Sequence, residues 1–593
     1  MDNPRNLILA VVLSLLLFVG WDMFSRWYFP APEPTVVEES ISETASPATG
    51  EGGLDGDGSA LADEGPRDIE TELASTDRIA IAGPRISGTI NPVGAKLDDL
   101  TLNDYRETLD DDSGPVRMFS PAGTEDQYFT LFGWTGEGLT LPDARTVWQA
   151  EGDQLTRETP VTLRWDNGAG QVFSIRFEVD ENYMLSTEQT VTNGADGPIV
   201  VQPYSFITRT SSTDSLVLWN VHTGPIGSFD EAVEFGYGYG DLDEAPLQPN
   251  SQNRIVVPDG STDWIGFTDR YWLTVLVPQG EAATEPGFLA MADGTYRAGM
   301  AFAPATVAAG SELSRTTNLF AGAKESDLLS AYEDAGNVNF DRAIDWGWFE
   351  IIEKPIIWLL RQLFGLVGNF GVAIMLLTVI VRGLMFPIAQ KQFASMAAMR
   401  AIQPKMKALQ ERYKDDKPKQ QQEIMALYKK EGVNPLAGCL PIFLQIPIFF
   451  ALYKVLILAV DMRHQPFALW IQDLSAPDPA HFLNLFGLLD FTVPGLLAIG
   501  PLALFLGVTM WLQFKLNPAQ MDPTQQQIFM ILPWVLMFVM ANFAAGLLLY
   551  WGTSNVLTIA QQWYLYSRHP QLKAQADKDK VDRERADKRD KKG

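Results

Sequence analysis

The run Thr378–Gln390, TVIVRGLMFPIAQ, carries one arginine, Arg382, inside a stretch that is otherwise apolar, and seven more apolar residues follow it before Gln390 and Lys391. If a membrane span starts near Asn369, Arg382 lies about 20 Å along it, within the hydrocarbon zone. An arginine at the centre of a membrane helix costs ~2.5–3.5 kcal/mol, and less toward the ends. Two arrangements relieve that cost. The side chain can snorkel toward the cytoplasmic headgroups, or it can sit in a watery hollow. Further polar residues interrupt the apolar segments. Thr378 lies one turn before Arg382 on the same helix face, Gln445 falls in a later span, and Thr553, Ser554 and Asn555 fall in the last. Each alone is satisfied by a helix-packing hydrogen bond. Together they are able to line a polar groove around a fixed positive charge. Lys454 and Lys515, near span ends, read as snorkelling residues.

The elements that position these residues are helical. Apolar spans fall at about 370–386, 435–460, 494–513, 528–541 and 544–564, and a run at 7–20 makes six. The 528–541 stretch, at 1.5 Å per residue, reaches only about 21 Å, so it either extends into its flanks or meets a thinned bilayer. Lys354–Phe364 places Ile356, Ile357, Leu360, Leu363 and Phe364 at helical spacing. This predicts an amphipathic interfacial helix within 346–369, broken by Gly368-Asn369. Between the second and third spans, 390–432 reads as a helical hairpin. Met399, Ile402, Met406, Leu409 and Tyr413 form one stripe, and Ile424, Leu427 and Tyr428 form another that ends at Gly432. Its seam is its own packing surface or, through Met396, Met399 and Met406, an adaptable surface for varied apolar partners. Pro404 is expected to kink or break the first of these helices. The basic loop 383–434 and the basic, mixed-charge tail 567–593 place both of these segments in the cytoplasm, so six spans put both termini there.

The rest of the chain has a different character. Residues 30–345 carry 17 Lys and Arg against 53 Asp and Glu, a net −36, whereas the whole protein is −28, so the remainder is net basic. An acidic soluble domain is thus joined to a membrane domain, and the charge of the acidic part disfavours nucleic acid as its partner. The run at 1–29 ends in aromatic WDMFSRWYF instead of a small-residue cleavage site and reads as a retained anchor. Residues 30–77 are too polar to offset ordering entropy and read as a disordered acidic tether. From 78 to 345 short alternating runs such as QVFSIRFEV, preceded by Asp166-Asn167-Gly168, predict an antiparallel β-sandwich outside the cytoplasm. The lone cysteine, Cys439, allows no intrachain disulfide and reads as a small core residue.

At these residues the sequence resembles the YidC/Oxa family of membrane protein insertases, in the Gram-negative form with a large periplasmic domain. The matching stretches are TVIVRGLMFPIAQKQ, MRAIQPKMKALQERYKDD, VNPLAGCLPIFLQIPIFFALY, PFALWIQDLSAPDP, DPTQQQIFMILP and GLLLYWGTSNVLTIAQQ, in order across 370–566. The resemblance implies a five-helix insertase core behind an N-terminal anchor and a periplasmic all-β supersandwich like sugar-binding folds. It implies a hydrophilic groove in the inner leaflet with Arg382 as its central charge, Cys439 in the span beside it, and a cytoplasmic hairpin that receives substrates. The implied partners are nascent integral membrane proteins, the Sec translocon, membrane lipids, and the ribosome and signal recognition pathway through the cytoplasmic loop and tail. No catalytic residue, cofactor or metal is implied, and no specific nucleic acid.

Two other function classes are weighed against this. An ion-coupled secondary transporter usually shows repeated halves and a midplane carboxylate, and the later spans carry no Asp or Glu. A membrane-anchored periplasmic sugar-binding protein or enzyme would draw its site from the β domain. Only His222 of the four histidines lies there, while many carboxylates do.

Overall fold

A computed structural model describes residues 67–568 apart from 111, 211–220, 249–250, 415, 433–439, 487–488, 490–497 and 517–522. The expected anchor at 1–29, the tether as far as residue 66, Cys439 and the tail beyond residue 568 lie outside the described residues, as does the side chain of Met399. The chain divides between Asp345 and Trp346 into two units.

The first unit is built from an eleven-stranded and a nine-stranded sheet. Strand Gln171–Val179 shows how the sequence dictates them: Phe173, Ile175, Phe177 and Val179 are buried, while the residues between them are exposed or half-buried. Gly168, in the turn before it, takes the left-handed φ of 72° that a glycine adopts freely. Its neighbours in the nine-stranded sheet, Val161–Asp166 and Met184–Asn193, are both antiparallel. The core lies between the sheets. Phe132 and Trp134 of strand Tyr128–Thr135, in the eleven-stranded sheet, meet Phe177 and Phe173 of the other at 6.1 and 5.2 Å between ring centres, in edge-on geometry. A polar seam also ties the sheets together. Glu325 accepts from Arg85 at 2.6 and 3.1 Å, from Tyr105 at 2.8 Å and from Tyr183 at 3.1 Å. The expected all-β sandwich is thus the observed architecture.

The second unit is helical. Helix α1 spans Glu350–Val367 and α2 spans Phe370–Leu384. Between them Gly368 takes a left-handed φ of 66° and Asn369 caps α2 by accepting from Val372 N at 3.0 Å, so the expected break falls where the sequence places it. In α1, Ile356, Ile357, Leu360 and Leu363 are buried while Ile351, Trp358 and Leu366 are exposed, the division of an amphipathic helix.

Helices α3 (Phe386–Arg412) and α4 (Lys417–Glu431) form the hairpin. Of the kink or break expected at Pro404, the break does not occur: α3 continues through it. The chain turns instead at Met385, and Pro387 occupies the first turn of α3, where a missing N–H leaves no bond unmade. Asp416 caps α4 and Gly432 ends it. Then come α5 (Leu440–Leu458), α6 (Pro501–Leu516), α7 (Pro523–Met540) and α8 (Ala545–Arg568).

Among the described residues no helix is long and apolar enough to cross a membrane. Helix α2, with 15 residues, reaches about 22 Å against ~30 Å of hydrocarbon. The longest helices, α3 and α8, carry charged or polar residues along their length.

Candidate functional site

The site is organised by α8. Tyr550, Ser554 and Asn555 are all buried, and each turns to a different neighbour. Arg382 Nε, on α2, donates to Ser554 Oγ at 2.9 Å, and a second guanidinium nitrogen reaches the same hydroxyl. Gln445 Nε2, on α5, donates to Tyr550 OH at 2.7 Å. Asn555 Nδ2 donates to Thr509 Oγ1 of α6 at 3.1 Å. One helix therefore joins three others through polar side chains, each contact burying groups that would otherwise be left unpaired in an apolar surround.

The direction taken by Arg382 follows from the register of α2 and α8. One contact sits eight residues earlier on both helices. Gly546 lacks a side chain, and a Cβ there would stand 3.3 Å from Ile374 Cδ1. Steps of equal length on both helices mean that α2 and α8 run parallel, side by side. The guanidinium, carried on the last turn of α2, therefore crosses sideways to α8. From further along α8, Gln561 Nε2 donates to the Arg382 carbonyl at 3.4 Å. No carboxylate pairs with Arg382 among the described residues.

Thr378 is fully buried and its hydroxyl donates to the carbonyl of Ile374 on its own helix at 2.7 Å, so its proton is committed within α2. Thr553 is half-buried. Of the residues singled out in the sequence, Arg382 and Ser554 are brought into direct contact, with Gln445 one helical turn away through Tyr550. Asn555, although next to Ser554, faces α6 instead. Sequence reasoning passed over Tyr550 and Thr509. A signal existed for each: Tyr550 precedes Ser554 by four residues on one helix face, and Thr509 is a hydroxyl in the middle of an apolar run.

In the hairpin, Tyr428 OH donates to Met406 Sδ at 3.1 Å, Lys405 pairs with Glu431 at 2.8 Å, and Lys419 Nζ stands 5.5 Å from the centre of the Tyr413 ring. Met406, Tyr413 and Tyr428 thus take part in contacts within the hairpin. In the β unit, His222 Nε2 lies 2.7 Å from the Pro225 carbonyl, edge-on to Phe235. Burial pushes its pKa down, so the ring is held neutral as a packing group.

Residues 362–573 match the family described as 60Kd inner membrane protein, and residues 78–359 match the YidC periplasmic domain. The chain is 44% identical over 570 residues to the membrane protein insertase YidC of Zymomonas mobilis subsp. mobilis, with 96% of each chain covered. It is 40% identical over 608 residues to the membrane protein insertase YidC of Bradyrhizobium diazoefficiens, covering 96% of this chain and 97% of that one. A crystal structure of an active YidC insertase with its first transmembrane domain resolved aligns over 83% of this chain and 93% of that one, at 19% identity and a TM-score of 0.34. Both units are accounted for by relatives matched along nearly their whole length, the two-sheet unit as the periplasmic domain, and the chain belongs to the YidC family of membrane protein insertases.

Proposed function

We propose that this protein inserts, folds and assembles integral membrane proteins in the cell inner membrane, alone or with a Sec translocon, through a hydrophilic groove in the inner leaflet. The observation that carries this reading is the Arg382–Ser554 contact, a cation turned sideways between two helices where a snorkelling side chain would run along its own. An incoming segment must bring a polar flank across an apolar barrier, and a fixed charge with water around it shortens that barrier. Arg382 attracts acidic substrate tails transiently. The apolar part then moves sideways into lipid, where burial at ~25 cal/mol per Å² drives insertion without nucleotide. Gln445, Thr553 and Ser554 line the path near Arg382, while Thr378 and Asn555 support its walls.

In this reading the run at 1–29 is an anchor, 30–77 a tether, 78–345 the periplasmic domain, 346–369 an interfacial element built on α1, 370–566 the insertase core, and 567–593 a cytoplasmic tail. The five core spans are α2, α5, α6, α7 and α8. Short helices such as α2 reach across by using flanking apolar residues and a locally thinned bilayer. Both termini are cytoplasmic. The hairpin at 390–432 receives substrates through Met399, Met406, Tyr413 and Tyr428, and with the tail it meets the ribosome and signal recognition pathway.

The test is depletion of the protein followed by crosslinking of nascent chains to cysteines placed at Gln445 and Thr553, with a cysteine at the exposed Trp358 of α1 as control. Crosslinks to the first two and not to the control support the groove. Equal labelling at all three sites would count against it.

A further inference from the structure

The segment between α5 and α6 gathers the ends of several helices. Asn369, at the start of α2, donates through Nδ2 to the Phe467 carbonyl at 2.8 Å, and the Phe467 ring fills the space over Gly371, where a Cβ would fall 2.0 Å from its Cδ2. The first amides of α8, those of Ala545 and Gly546, donate to the carbonyls of Ala476 and Leu474 at 2.8 and 2.9 Å. The Asp478 carboxylate, 1% exposed, accepts from Leu502 N at the start of α6 at 3.0 Å, from Ala480 N at 3.1 Å and from Trp470 Nε1 at 2.9 Å. Arg361 of α1 pairs with Asp461, just beyond α5, at 2.7 Å. The start of α2, α6 and α8, the end of α5 and the interfacial helix therefore meet at one end of the helical unit.

The network leaves several large apolar side chains on the outside. Leu469 is 89% exposed, and Phe482, Leu483, Leu485 and Phe486 are each between 41 and 55% exposed. Between Phe482 and Phe486 only Asn484 is polar, and the Phe482 and Phe486 rings pack edge-on at 5.1 Å. Leu469, Leu485 and Phe486 hold left-handed φ values of 57, 51 and 63°, which bulky side chains avoid unless the surroundings impose them.

We infer that this apolar crown is a lipid-binding surface, with Leu469, Phe482, Leu483, Leu485 and Phe486 entering the acyl chains of the leaflet on which α1 lies. Arg361 of α1, a helix whose Ile351, Trp358 and Leu366 are exposed, pairs with Asp461 at the root of the same segment, so the crown and the exposed apolar face of α1 belong to one end of the helical unit. None of the five side chains is charged, the ionisable Arg463, His464, Asp473 and His481 of the segment are half-buried, and Trp470 has its indole N–H already bonded to Asp478, as suits a ring edge turned to hydrocarbon. The crown would fix the depth of the helical unit in the bilayer and stiffen the end at which these helices meet. The inference rests on the membrane arrangement proposed above and not on the groove.

The test uses the full-length protein carrying Cys439→Ser and one new cysteine, L469C or L485C, labelled with a polarity-sensitive dye and reconstituted in phosphatidylcholine–phosphatidylglycerol vesicles. Glu181→Cys in the periplasmic domain is the control. The expected result is blue-shifted emission at residues 469 and 485, quenched by lipids spin-labelled near the headgroup, with the control unmoved. Emission as red as the control, without quenching, overturns the inference. So does a blue shift that lipid labels fail to quench or that appears only with added Sec translocon, since either marks a protein partner. Substrate insertion by the same vesicles separates the two proposals: quenched probes with failed insertion uphold the crown and count against the groove, and active insertion with unquenched probes overturns the crown alone.

Discussion

Arg382 and Ser554, 172 residues apart in sequence, are joined by a 2.9 Å hydrogen bond between two parallel helices. The charge is thereby held at one height. A serine hydroxyl orients the guanidinium without neutralising it, as a carboxylate would. That separates two properties, charge and orientation, which substitutions can test apart.

Arg382→Lys should insert an acid-tailed substrate more efficiently than Arg382→Ala, because the charge survives and only the fork geometry is lost. Ser554→Ala should fall between wild type and Arg382→Ala. It removes the hydroxyl that accepts from two guanidinium nitrogens, where a single charge-assisted hydrogen bond is worth ~1.5–3 kcal/mol, but leaves the cation in place. Proteoliposome insertion of one substrate with acidic and with neutral tails measures this. Equal insertion by Arg382→Lys and Arg382→Ala would refute the electrostatic account.

Asn555 and Thr509 hold α8 to α6 and so set the rotation that points Ser554 at Arg382. Asn555→Leu leaves Thr509 committed to its own helix backbone, where its hydroxyl lies 2.8 Å from the Phe505 carbonyl, and removes the polar link between helices. The expected loss is about 1 kcal/mol of stability, in line with measured hydrogen bonds between membrane helices. Thermal unfolding in detergent of Asn555→Leu, Thr509→Val and the double variant should show the two losses failing to add, as they do for direct partners.

Much of this architecture was legible in the sequence, and the reason differs between the two units. The β strands are half-buried, so alternation in QVFSIRFEV encodes which face is inside. Gly368-Asn369, Asp416 and Gly432 mark helix ends because caps are local chemistry. The partners of the polar residues were not legible, because whether Asn555 faces α2 or α6 depends on how α8 is rotated in the bundle. At Pro404 a kink or a break was open from sequence, and α3 continues because a proline is compatible with a helix whose other bonds are kept, whereas the break at Met385 lies before a proline at a helix start. The segment between α5 and α6 has no periodicity, and its role emerges only when Asp478 and Asn369 find their partners.

Acid should loosen the periplasmic domain through Glu325. Burial opposes ionisation of this carboxyl, but hydrogen bonds from Arg85, Tyr105 and Tyr183 outweigh it and hold its pKa below the ordinary 4.5. Because the folded value is the lower one, the unfolded chain binds the proton first. The stabilisation is complete above the unfolded value and is lost as pH falls through the folded pKa. Glu325→Gln should lower stability at neutral pH and flatten this acid limb. Calorimetry of the full-length protein from neutral to acid pH measures both effects, and an unchanged acid limb would remove Glu325 as a contributor.

Asp478 offers the sharpest test of how the helix ends are held. Its two oxygens accept three hydrogen bonds, from Trp470, Ala480 and Leu502, and the residue is buried. Replacing it with asparagine keeps the shape but turns one acceptor into a donor that faces an N–H, either the Leu502 amide or the Trp470–Ala480 pair. Loss of a cap costs ~0.5–2 kcal/mol, and a buried donor left without a partner adds to it. Asp478→Asn should therefore be nearly as destabilising as Asp478→Ala, whereas at an exposed cap asparagine is an adequate substitute. Thermal unfolding of the two variants in detergent decides between these outcomes. A stable Asp478→Asn would mean that the carboxylate charge and its second acceptor are dispensable at the start of α6, leaving the Pro477–Ala544 backbone bridge to tie the segment to the start of α8 alone.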